Sequence, residues 1–94
     1  MEMKIKELYG NHQRVSEAMM VAFEKLRVMC NKYGLRLSCY IEQHSPSLPI
    51  VLAIYDDDFA VSQANLRNEE DFLEWINIQL EYVNYKYNKS YKHS

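Results

Sequence analysis

The sequence predicts an α+β fold. Its order is helix, three strands, helix (α-β-β-β-α), with a long N-terminal helix and a C-terminal helix packed on one face of a three-stranded antiparallel sheet. Three observations carry this. Apolar residues in the first third recur at three- and four-residue spacing, residues 35–66 alternate between turn residues, and the last third returns to helical spacing. With 94 residues, 48% of them apolar or aromatic, a single domain spanning 1–94 is expected to bury a core without staples.

The first helix is read from Ile5, Leu8, Val15, Met19, Ala22, Phe23, Leu26, Met29, Cys30 and Tyr33, which share one helical face. Gly10-Asn11 interrupts the pattern. The helix either starts afresh with Asn11 as N-cap or runs through the glycine at a cost of roughly 1 kcal/mol. Gly34 stands where a helix wants a left-handed residue after its last turn.

In "LRLSCYI" the period changes to two. Leu35, Leu37, Cys39 and Ile41 face one way, and Arg36, Ser38, Tyr40 and Glu42 the other, as in a half-buried strand. Pro46 and Pro49 make "HSPSLP" a loop. "IVLAIY" is apolar on both faces and is expected in the centre, while "FAVSQA" makes a weaker third strand. Between these two strands stand Asp56, Asp57 and Asp58. An even hairpin loop sets Ile54 opposite Phe59 and Leu52 opposite Val61, whereas an odd one splits them between faces, so an even turn is expected. Three consecutive carboxylates do not converge on one ion, because calcium loops alternate their ligands and turn on a glycine. No metal and no cofactor is expected.

Asn68 suits an N-cap, and Glu69, Glu70 and Asp71 put negative charge where the helix dipole favours it. The helix that follows has two apolar stripes. Phe72, Leu73, Ile76, Leu80, Val83 and Tyr87 are fit to cover the sheet. Trp75, Ile78, Tyr82 and Tyr85 form a second stripe roughly opposite, with Glu74, Asn77, Glu81, Asn84 and Asn88 on the polar side between. A surface helix needs one stripe. A second one, rich in residue types favoured at interface hot spots, implies burial against a partner protein, a second copy of the chain, or residues 1–10 folding over it.

Charge is divided along the chain. Residues 1–55 sum to +2, residues 56–81 to −7 and residues 82–94 to +3, for a net −2. The acidic block supplies a second candidate contact at Asp56, Asp57, Asp58, Glu69, Glu70 and Asp71. The basic end, with 85–94 read as a frayed tail, places Lys86, Lys89, Tyr91 and Lys92 together, a composition that can stack bases and neutralise phosphates. Catalytic patterns are missing. Gly10 and Gly34 are the sole glycines, so no phosphate loop exists; Cys30, Cys39 and His44 fall short of a zinc set; and Cys39, on an apolar strand face, reads as a core thiol. "MEMKIKELYG" lacks the apolar run of a secretory leader, and no stretch reaches the roughly 18–20 apolar residues of a membrane span. A cytoplasmic protein without enzymatic activity is the expectation.

"MCNKYGLRLSCY", residues 29–40, resembles the passage from first helix to first strand in the double-stranded RNA-binding domain, which has the same element order. That family's Gly-Pro-x-His loop is replaced by "HSPSLP", and its lysine cluster by Glu69, Glu70 and Asp71, so RNA binding by that route is expected to be lost. In layout and charge the chain also resembles small phage-encoded inhibitors, including certain anti-CRISPR proteins. That resemblance implies an inhibitor or adaptor, contacting a nucleic-acid enzyme through protein–protein surfaces. Direct binding of nucleic acid or nucleotide by the Tyr/Lys-rich end is the alternative.

Overall fold

The computed structural model describes residues 15–42 and 47–92, the last four by backbone alone. The elements are α1 (Glu17–Lys32), β1 (Arg36–Tyr40), β2 (Ile50–Asp56), β3 (Phe59–Leu66) and α2 (Glu69–Lys92). The fold is α+β, with an antiparallel sheet in the order β1-β2-β3 and the apolar β2 in the centre.

Helix α1 begins later than its apolar pattern. Ser16 is extended (φ −86°, ψ 164°), and its hydroxyl accepts from the Met19 N–H at 3.2 Å, while the Ser16 N–H reaches Met19 Sδ at 3.5 Å. This is a capping box with a thioether where Glu or Gln usually stands. A helix running unbroken from Asn11 is therefore excluded at Ser16; Asn11 itself lies outside the described residues. The far end follows the expectation for Gly34, whose φ is +75°. The Leu35 N–H donates to the Cys30 carbonyl at 2.8 Å and the Gly34 N–H to the Asn31 carbonyl at 3.2 Å, the paired bonds of a Schellman motif. Leu35 and Cys30 are both buried, as the apolar contact across such a motif requires.

The β1–β2 register pairs Leu37 with Ile54 and Cys39 with Leu52, so one face gathers the apolar set. The β2–β3 register corrects the expected pairing. The loop has two residues, Asp57-Asp58, one position later than a turn on Asp56-Asp57, and Asp56 pairs with Phe59. Continued unbroken, that turn would set Leu52 against Gln63 and Ile50 against Asn65, driving polar amides into the core. A bulge prevents this: Tyr55 pairs with Ala60 but Ile54 with Ser62, leaving Val61 without an opposite residue. Leu52 then meets Ala64 and Ile50 meets Leu66. Phe59, freed from Ile54, is 68% exposed. Asp57 takes a positive φ of 55°, a conformation Asp tolerates better than most residues.

Both helices close over the same apolar face. Met19, Phe23 and Leu26 of α1, Leu52 and Ile54 of β2, and Phe72, Ile76 and Val83 of α2 share one core. Helix α1 packs over β1 and α2 over β3, with the two helices against each other. No helix of the described residues is long and apolar enough to cross a membrane.

Two substitutions separate backbone from packing effects. A Cβ at Gly34 meets nothing within 4 Å, so Gly34→Ala should destabilise by about 1 kcal/mol through its positive φ, and Gly34→Asn by less. In the same chemical denaturation series, Phe72→Ala should cost about 3–5 kcal/mol and Phe59→Ala no more than about 0.5 kcal/mol.

Candidate protein-docking surface

Helix α2 starts as its sequence indicates. Asn68 Oδ1 accepts from the Asp71 N–H at 2.8 Å, and Asn68 Nδ2 donates to Asp71 Oδ2 at 3.2 Å. The segment read as fraying from residue 85 is helical as far as Lys92.

At about 100° per residue, the apolar part of α2 covers about 240° of arc, from Tyr85 through Trp75 and Phe72 to Leu73. The two stripes join on one side, and the residues at the join are Gln79 and Lys86. Phe72, Ile76 and Val83 are fully buried under the helix. Leu80, Asn84 and Tyr87 face α1: Leu80 lies beside Met20 and Met29, the Tyr33 hydroxyl donates to Asn84 Oδ1 at 3.1 Å, and the Tyr33 and Tyr87 rings stack with centroids 6.4 Å apart. Trp75, Ile78, Tyr82 and Tyr85 therefore lie on the flank away from α1. Because α2 rests over β3, this flank overhangs the outer edge of the sheet. Trp75 is half-buried against the core, while Ile78 is 52%, Tyr82 41% and Tyr85 70% exposed.

The six acidic residues do not form one patch. Asp56, Asp57 and Asp58 sit at one end of β3 and Glu69, Glu70 and Asp71 beyond the other, separated by eight strand residues, or about 26 Å. That exceeds the screening length of about 8 Å at physiological ionic strength, so the two groups present separate fields. Nearness in sequence suggested a single interface, and an extended strand between the groups removes it. Asp71 is also engaged in the cap. Asp56 instead acts on the far part of α2, where its charge reaches Lys86 and Tyr87.

Lys86 lies over the rings of Tyr82 and Tyr87 at 5.6 and 5.4 Å, and its Nζ is 3.4 Å from the Tyr82 hydroxyl. That hydrogen bond, followed by Tyr87 and Tyr82, holds the ammonium above its ordinary range. Burial raises the Tyr87 phenol, and Lys86 opposes the rise. Lys89, Tyr91 and Lys92 are placed on α2 by their backbone.

Two features had no place in the helical pattern. Gln79 is 6% exposed, and its Oε1 has no hydrogen-bond partner among the described residues. Val21 and Val28 on the outer side of α1 are 51% and 59% exposed. With Met20, Met29 and Leu80 they line an open groove of about 960 Å³ between the helices. Their seven-residue spacing was the available signal.

Burial pushes the Cys39 thiol from its ordinary 9.0 up to about 12, so it is protonated at neutral pH, and the thiolate is the reactive form. His44, the third residue weighed for zinc, lies outside the described residues, as do His12 and His93. Among the described residues no group of three or more His, Cys, Asp or Glu is placed to hold a metal ion.

No protein-family model, no curated protein and no solved structure matches this chain. The surface is therefore read from its own chemistry.

Gln79→Leu should raise stability by about 1 kcal/mol in denaturant, since it removes a buried acceptor that has no hydrogen-bond partner among the described residues. Cys39 makes a pH prediction of definite sign. The folded chain holds the thiol proton more tightly than the unfolded chain, so below pH 9.0 Cys39 contributes no pH dependence. Stability then falls as pH rises from 9.0 through about 12. The difference between wild type and Cys39→Ala across that window isolates the effect, and an invariant difference would contradict it.

Proposed function

We propose that this chain works by protein–protein contact rather than catalysis, as a small inhibitor or adaptor acting on nucleic-acid-processing machinery. The exposure of Ile78, Tyr82 and Tyr85 on one flank of α2 carries this reading. Tyrosines are favoured at hot spots because they bring large apolar area together with a hydroxyl that stays hydrogen-bonded. Half-buried Trp75 gives the flank a floor anchored in the core. The exposed Asp57 and Asp58 at the hairpin tip offer a separate, salt-sensitive contact of the kind that stands in for phosphate on a basic enzyme surface.

Direct nucleic-acid binding through Lys86, Lys89, Tyr91 and Lys92 is the second reading. It is favoured by the placement of Lys86 against two tyrosine rings. The charge of Asp56 beside Lys86 opposes it, because the same carboxylate repels phosphate.

A photo-crosslinking side chain at position 85 should capture a protein in native cells, and the same group at position 74, on the polar side of α2, should not. Equal capture at both positions, or none at 85, would sink the docking reading. Oligonucleotide titration at physiological salt should show no saturable binding. Binding that disappears on deleting residues 86–94 would establish the second reading.

A further inference from the structure

We infer that the occupant of this flank is a second copy of the chain, docked edge to edge through β3, so that two sheets join into one of six strands with four helices on one face. This rests on reading the Ile78–Tyr85 flank as a docking surface.

The first support is the edge itself. β3 bonds to β2 on one side, and among the described residues no strand lies on its other side. Edge strands are normally guarded by Lys, Pro or inward charge. β3 is the longest strand, and "FAVSQANL" has no charged residue and no proline. Its bulge guards the hairpin end alone. The other edge, β1, has five residues and carries Arg36. A neutral strand is also what self-pairing demands, because across a two-fold axis any charge near the centre meets its own copy.

The second support is that strand and helix share one centre. Asp56 and Phe59 are level with Lys86 and Tyr87, where Asp56 acts on both. From Phe59 to the middle of β3, between Ser62 and Gln63, is about 11 Å. The same height along α2 is about seven or eight residues back from Lys86, near residues 78–80. The stripe Trp75–Tyr85 is centred there. One two-fold axis therefore pairs β3 with its copy and lays the two stripes antiparallel against each other. A partner strand alone would leave the stripe wet, and a partner helix alone would leave the edge unpaired.

Charge and area agree with this occupant. The antiparallel helices bring the acidic first turn of one copy toward a segment of the other, 86–92, that carries lysines and no acid. Ile78, Tyr82 and Tyr85 expose about 400 Å² between them. With Phe59 and the strand edge, the contact approaches the roughly 800 Å² per partner of a stable interface.

Sedimentation equilibrium of the full chain, from micromolar to submillimolar concentration, tests the inference. The mass should rise toward twice 11.2 kDa, and β3 amides should gain hydrogen-exchange protection with concentration. Two double variants, Ile78→Glu with Tyr85→Glu and Gln63→Lys with Asn65→Lys, alter exposed positions and should each weaken the dimer at least about thirtyfold. A wild-type monomer throughout the range overturns the inference, while capture of a foreign protein at position 85 would leave the docking reading standing. A dimer indifferent to the β3 variants, or β3 exchange independent of concentration in the unmodified chain, overturns it equally.

Discussion

Val61 has no opposite residue in β2, and the packing of α2 depends on that vacancy in the ladder. Side chains alternate along a strand, so one extra residue reverses which of its neighbours face the helices. On the helix side of the bulge stand Ala64 and Leu66; in the unshifted register Gln63 and Asn65 would stand there instead. Two buried amides without partners would each cost about 1–3 kcal/mol, a large part of what holds a domain of this size together. The hairpin tip and the far end of β3 are thus reconciled by a local irregularity. The tip keeps a tight two-residue turn, and the rest of the strand keeps its apolar face on the core.

With β3 fixed in this register, α2 has a floor to rest on, and Ile78, Tyr82 and Tyr85 stay exposed on its outer flank; residues 1–10, the alternative cover for that flank, lie outside the described residues. Tyr33 ties the other flank to α1 through Asn84 and Tyr87. Gln79 marks the boundary between the two situations: it is buried, yet it sits where the apolar arc turns outward. An amide at that join suits a helix whose apolar surface continues past its own domain, while a helix built only to cover the sheet would carry Leu or Ile there. The overhanging flank and the unguarded edge of β3 have a common origin, because α2 and β3 are stacked at the same side of the molecule.

The helix ends were legible because their signals are local. Gly34 and Asn68 act through backbone geometry and hydrogen bonds within a few residues, and both stand in the expected roles. Central placement of β2 was legible from its apolar run. The start of α1 was not: Ser16 caps through Met19, and a methionine at that position does not announce a capping box. The bulge was not legible either, because it answers a conflict between turn position and strand parity, and nothing in "FAVSQA" records the turn position. For the candidate site, the Ile78–Tyr82–Tyr85 stripe could be read from helical spacing. The acidic residues fall into two groups because β3 runs between them, so closeness along the chain is not closeness in space.

What the amino-acid sequence determined by itself was the order of elements, the end of α1 at Gly34 and the start of α2 at Asn68, and the presence on α2 of more apolar surface than one sheet face needs. These follow from periodicities and short-range hydrogen bonds that do not depend on distant residues. Only the tertiary structure decided which residues of β3 meet the core, where the two acidic groups lie, and that the tyrosine flank of α2 stands over the edge of β3 that pairs with no other strand among the described residues. Each of these depends on how far a strand carries the chain and on which side of a helix its neighbour packs, quantities set by contacts between residues remote in sequence.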